Sequence, residues 1–165
     1  MTPEQGKLLS KVFLDTIQSE TETTKKVMRA IPEDRKSYKP ETKSMTAHEL
    51  AWHIATSEVW FLDGVLAGQF TMTDPPAAPP TIGAIVEWYE TNHRDRVNKL
   101  KDLPAEKLVK IIPLFGAMEL PAVAYLNVLN LHSSHHRGQL STYLRPMGSK
   151  VPAIYGGSAD EPMQM

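Results

Sequence analysis

The chain has 165 residues, 41% of them hydrophobic and 22% charged, which is enough to bury a core without covalent staples and fits one domain. It has no cysteine, which excludes disulfides, thiolate metal ligands and a cysteine nucleophile, so any metal must be held by His, Asp or Glu. A formal net charge of −1 argues against nucleic acid as a partner, because phosphate-binding surfaces concentrate Lys and Arg well beyond neutrality.

The first residues, Met1 to Lys7, lack the basic start and apolar run of a signal peptide. No stretch reaches the ~18 apolar residues of a membrane span. A soluble cytoplasmic protein with no membrane partner is expected.

From Pro3 to Ala30, Leu8, Val12, Ile17 and Val27 are spaced among Glu, Lys, Gln and Thr, and no breaker intervenes before Pro32. This predicts a long first helix with a loosely patterned middle. It ends at Ile31-Pro32, because the residue before proline is steered away from helical angles. Pro32 to Ser44 reads as a connection that carries Tyr38 toward the bundle. Ser44 or Thr46 can cap a second helix running to about Gly68, and Thr46 with Glu49 three residues on has capping-box spacing. Two apolar stripes, one through Leu50, Ile54, Phe61 and Val65 and one through Trp52, Ala55, Val59, Leu62 and Leu66, predict burial on two sides.

The run Asp74-Pro75-Pro76-Ala77-Ala78-Pro79-Pro80 forbids helix. Thr81 caps a third helix marked by Ile82, Ile85, Val86, Tyr89, Val97 and Leu100, with Pro104 at its far end. Ala105 to Leu120 is expected to be loop with room for a short strand. A last helix should start near Pro121 and continue to about Arg145, where Pro146 and Gly148 end it. Val151 to Gly157 can pack back on the bundle, and Ser158 to Met165 are expected to fray. The fold class is therefore all-α, and the apolar surplus on the first and third helices, Val109 to Phe115 and Val151 to Tyr155 suggests a two-fold homodimer.

Three of the six histidines, His132, His135 and His136, fall in the last helix. Residues four apart on a helix share a face, so His132 and His136 can aim nitrogens at one cation. The stripe Tyr125, Val128, Leu129, His132, His136, Leu140 and Tyr143 places both on the buried side and His135 at its edge. Burying two imidazoles is costly unless they share a partner, which a divalent cation supplies. His53, mid-helix among apolar residues, is the third candidate ligand. Glu49, four residues before it, is a competing carboxylate already used as a cap. His48 and His93 have ordinary surface readings, and Trp52, Trp60, Trp88 and Phe61 read as core. Arg137 and Arg145 are expected to face solvent or a partner subunit, with the holding of an anionic substrate as the alternative for either. Three imidazoles leave coordination positions open to water or substrate, and the donor set suits Zn²⁺ or Ni²⁺, with Fe²⁺ and Mn²⁺ as further candidates.

Leu50-Ala51-Trp52-His53-Ile54-Ala55, His132-Ser133-Ser134-His135-His136-Arg137-Gly138-Gln139-Leu140 and Tyr143-Leu144-Arg145-Pro146-Met147-Gly148 resemble the DinB/YfiT-like family of metal-dependent enzymes. The resemblance covers essentially the whole chain in element order and implies a four-helix bundle with long crossover connections. It also implies a divalent metal on one second-helix histidine and an H-x-x-x-H pair, which by position are His53, His132 and His136. Members with established chemistry activate a low-molecular-weight thiol such as mycothiol or bacillithiol, which implies S-transfer to a small-molecule substrate. Metal-dependent hydrolysis and a non-catalytic metal-binding stress or interaction role are the alternatives.

Overall fold

The structure is a computed structural model and describes residues 1–163. Four long helices dominate: α1 (Pro3–Arg29), α2 (Ala47–Ala67), α3 (Ile82–Lys101) and, after a short α4 (Ala105–Val109) and two strands, β1 (Ile111–Leu114) and β2 (Met118–Pro121), α5 (Ala124–Leu144). The all-α bundle expected from the sequence is what forms, with α2 packed on α3 and α5, and α1 packed on α3, α4 and α5.

The helix starts follow from local chemistry. Thr2 and Gln5 close a capping box on α1, with Pro3 in its first turn. Thr46 and Glu49 do the same on α2, satisfying amide groups that have no partner inside the helix. Thr81 accepts from the Ala84 amide at the start of α3. Gly68 ends α2 in the left-handed region that an L side chain rarely adopts.

Three details refine the sequence reading. Leu8 and Val12 are exposed, and the inward face of α1 runs through Gly6, Ser10, Leu14 and Ile17. Small residues lead that face because α4 comes so close that a Cβ at Gly6 would sit 2.6 Å from the Val109 side chain. Between Ala105 and Leu120 the short strand for which the sequence left room forms, as β1 of the antiparallel pair β1–β2 in register Ile111↔Pro121 to Leu114↔Met118, and α4 precedes it. Pro113 is tolerated because a two-stranded sheet has only edges. Pro121 closes β2 rather than opening the last helix, so α5 begins at Ala124.

The tail also departs from expectation. Val151 and Ile154 pack on the core as anticipated, but Ser158 to Met163 do not simply fray. Asp160 accepts from Arg145 and from the Val151 amide, and Glu161 accepts from Lys26 and the Ala153 amide. Gln164 and Met165 lie outside the described residues.

Apolar burial falls into two clusters. One contains Leu50, Ile54, Ile85, Tyr89, Leu140 and Tyr143, with Tyr38 set edge-on to Tyr143 at 5.9 Å. The other contains Leu62, Val65, Leu100, Leu108, Tyr125 and Leu129. On every long helix the residues between the two clusters include buried polar groups: Thr24 on α1, Glu58 on α2, His93 on α3, and Ser133 and Arg137 on α5. The bundle therefore has a polar layer across its middle.

Candidate metal centre

His53 projects from α2 beside this layer, and His132 and His136 from α5. Their ring centroids are 5.2 Å (His53–His132), 4.5 Å (His53–His136) and 4.4 Å (His132–His136) apart. One nitrogen from each lies within 4.8 Å of the other two, so the three could hold a metal ion. His53 Nε2 and His136 Nε2 are 3.1 Å apart.

The outer ring nitrogens are also engaged. His136 Nδ1 donates to Gln139 Oε1 at 2.9 Å, which leaves Nε2 with its lone pair directed inward. His132 Nδ1 is 3.5 Å from the Ser57 hydroxyl. Gln139 follows His136 by one helical turn, the spacing that would have found it in the sequence.

Electrostatics favour the neutral form of His53 and His132. Burial, then the neighbouring His136, lowers the pKa of His53. Burial, followed by His136 and His53, brings His132 down to about 4, against a smaller opposing pull from the Glu58 carboxylate. Neutral imidazole is the form that donates a lone pair to a cation, so the donor set fits a borderline divalent ion.

His132 and His136 are only half-buried. The fully buried line of α5 runs through Leu129, Ser133, Arg137 and Leu140, correcting the stripe read from the sequence. Ser133 donates to Glu58, and Arg137 donates to the Thr24 hydroxyl at 2.8 Å and pairs with Glu20. These polar partners draw Ser133 and Arg137 inward and leave the histidine pair at the margin. Arg137 is thus not on the surface: it is 1% exposed, under the ring of Tyr155 from the tail. Arg145 does reach the surface, paired with Asp160.

The other candidates separate from the triad. His135 is exposed. Glu49 is committed to Thr46, and those hydrogen bonds hold its carboxyl below the usual range. His48 Nε2 meets the Pro79 carbonyl at 2.8 Å. His93 is 2% exposed and faces Glu58, contrary to the surface reading. Arg94 and Asp95, its polar neighbours in sequence, point away from the packed face that carries it and are themselves exposed.

His53 and His132 open onto a cleft of about 500 Å³ between α2, α3 and the segment 69–80. Trp52 and Phe61 are buried as expected, but Trp60 and Trp88 are half-buried walls of this cleft. Among the described residues no helix is long and apolar enough to cross a membrane.

Comparison with known proteins agrees with this architecture. The chain is 25% identical to YrdA of Bacillus subtilis (strain 168) over 150 residues, covering 90% of this chain and 89% of YrdA. It is 26% identical to YjoA of the same organism over 139 residues, 83% of this chain and 90% of YjoA. The crystal structure of YjoA, a DinB-like protein, superposes with a TM-score of 0.69 at 26% identity, covering 86% of this chain and 96% of that one. A DinB-like protein from Bacillus cereus ATCC 10987 superposes with a TM-score of 0.73 at 27% identity, covering 87% and 95%. A DinB family model matches residues 4–164, and the chain belongs to the DinB family.

Proposed function

We propose that this protein is a divalent-metal-dependent enzyme in which His53, His132 and His136 hold the ion and a low-molecular-weight thiol is activated for S-transfer to a small-molecule substrate. The observation that carries this reading is the convergence of three imidazoles from two helices at the margin of a cleft. A cation held there would act as a Lewis acid and lower the pKa of a thiol or water set against it. Zn²⁺ and Ni²⁺ suit three imidazoles best, with Fe²⁺ and Mn²⁺ as further candidates.

The chain's own residues prepare the site. Gln139 fixes the tautomer of His136, and the Ser57 hydroxyl stands beside His132 Nδ1. Phe61 sets its ring against His132 at 5.7 Å and shields that side from water. No fourth His, Asp or Glu joins the group among the described residues, so the donor set is short of a closed tetrahedral site.

Elemental analysis of the purified protein and of His53→Ala, His132→Ala, His136→Ala and His135→Ala tests the ligand set. Metal should be lost in the first three variants and retained in the last; full occupancy in His53→Ala overturns it. A cobalt-substituted sample then tests the chemistry. A visible spectrum that shifts and saturates with bacillithiol or mycothiol supports thiol activation, one indifferent to thiols overturns it, and an ion with no exchangeable ligand at all assigns the metal a structural role.

A further inference from the structure

Along one face of α2, in steps of three and four, stand His53, Ser57, Trp60 and Asp63, and all four line the same cleft. His53 and Asp63 are about 15 Å apart along the axis at 1.5 Å per residue, so the cleft is elongated, with the triad at one end. Trp88 and Arg96 of α3 face them.

The third wall is the irregular segment 69–80, which is held in place by side chains. Trp60 Nε1 donates to the Thr71 carbonyl at 2.9 Å, Trp52 Nε1 to that of Pro76 at 3.1 Å, and Lys36 Nζ to that of Pro80 at 2.5 Å. His48 meets Pro79 in the same way. With its prolines and these anchors, the segment is a preformed wall.

At the end remote from the triad, Arg96 is the one Lys or Arg lining the cleft among the described residues. Its Nε donates to Asp63 at 2.8 Å, and its Nη1 donates to the Asn92 backbone and side-chain oxygens at 3.0 and 3.1 Å. Nη2 makes no hydrogen bond among the described residues. The guanidinium is thus oriented by two residues with one donor group left over, an arrangement that suits a carboxylate. Asp74 also borders the cleft, but it is exposed and its charge is screened by water.

We propose that this cleft is the substrate site and that it takes an elongated organic acid. The ligand's apolar, aromatic body lies against Trp60 and Trp88, its carboxylate pairs with Arg96 Nη2, and its far end reaches His53 and His132. Only the role of that far end rests on the metal-dependent reading; recognition of the body and the carboxylate does not.

All three tryptophans border the cleft or pair with its wall, Trp52 lying 4.7 Å from Trp88, so intrinsic fluorescence reports occupancy. The test titrates 4-phenylbutyrate and its neutral counterpart 4-phenylbutan-1-ol into the protein as purified and after chelation, so that in the second series no cation can attract the carboxylate. The acid should bind roughly tenfold more tightly than the alcohol in both series, the scale of one charge-assisted hydrogen bond. Arg96→Met should erase that preference and leave alcohol binding unchanged. Asp63→Asn, which removes the competing carboxylate, should strengthen acid binding. Equal affinities for acid and alcohol, a preference that survives in Arg96→Met, or no fluorescence response to either compound would each overturn the proposal. A purified protein that contains no metal yet binds the acid selectively supports the cleft assignment and overturns the metal-dependent reading alone.

Discussion

His93 Nε2 lies 3.2 Å from the Glu58 carboxylate, with both side chains almost wholly buried in the middle of the bundle. The N–H is not aligned on the oxygen, so the two groups are in close contact without a well-formed hydrogen bond. Tyr89 and Ser133 add hydroxyl donors to the same carboxylate, which links α2, α3 and α5 next to the histidine triad. Removing one member leaves the others desolvated and unpaired. Glu58→Ala should therefore cost about 3–5 kcal/mol of unfolding free energy in urea titration, and the double variant Glu58→Leu/His93→Leu should cost less than the single one.

Acid should destabilise the metal-free protein in two stages. His132 titrates at about 4 in the fold against its ordinary 6.5, so between those values the unfolded chain binds more protons and stability falls as pH falls. Glu58 is pushed up by burial, but His93 and then the Ser133 and Tyr89 hydroxyls outweigh this and hold it below 4.5. Its contribution is complete above that value and is lost as pH falls through the depressed pKa. Urea midpoints measured from about pH 7 downward should decline throughout, and His132→Phe should flatten the decline between about 6.5 and 4.

Gln139 should matter to metal affinity without contacting the metal. It accepts the His136 Nδ1 proton, so Gln139→Leu frees the ring to rotate and to adopt the other tautomer. Loss of such an outer partner typically weakens binding by about 10–100-fold, which competition against a chromogenic chelator would read. Unchanged affinity would show that packing alone orients His136.

Phe115 adopts a left-handed backbone, φ 48°, in the β1–β2 turn, where Gly116 follows at φ 74°. Its ring is 53% exposed and stacks on Trp60 at a centroid separation of 6.3 Å. Asparagine tolerates that backbone better, so Phe115→Asn should raise stability by up to about 1 kcal/mol in thermal or urea unfolding while loosening the edge of the cleft.

What the sequence by itself determined is what local chemistry controls. The capping pair Thr46–Glu49, the breakers Ile31-Pro32 and Gly68, and Thr81 before an apolar period place α2 and α3 within a residue or two, because caps and backbone restrictions act within one helical turn. The spacing of His132 and His136 likewise put both rings on one side of the last helix, where they meet. What only the tertiary structure decided was which polar residues face inward. Arg137 and His93 look like surface residues until Glu20, Thr24 and Glu58 arrive from other helices to satisfy them. Leu8 and Val12 belong to the apolar pattern of α1 yet stay exposed, while α4 docks on the face that carries Gly6. Burial is a property of partners distant in the chain, and periodicity records only a residue's angle on its own helix. The position of the triad at the mouth of a cleft belongs to the same class, since that cleft exists only where α2, α3 and the segment 69–80 meet.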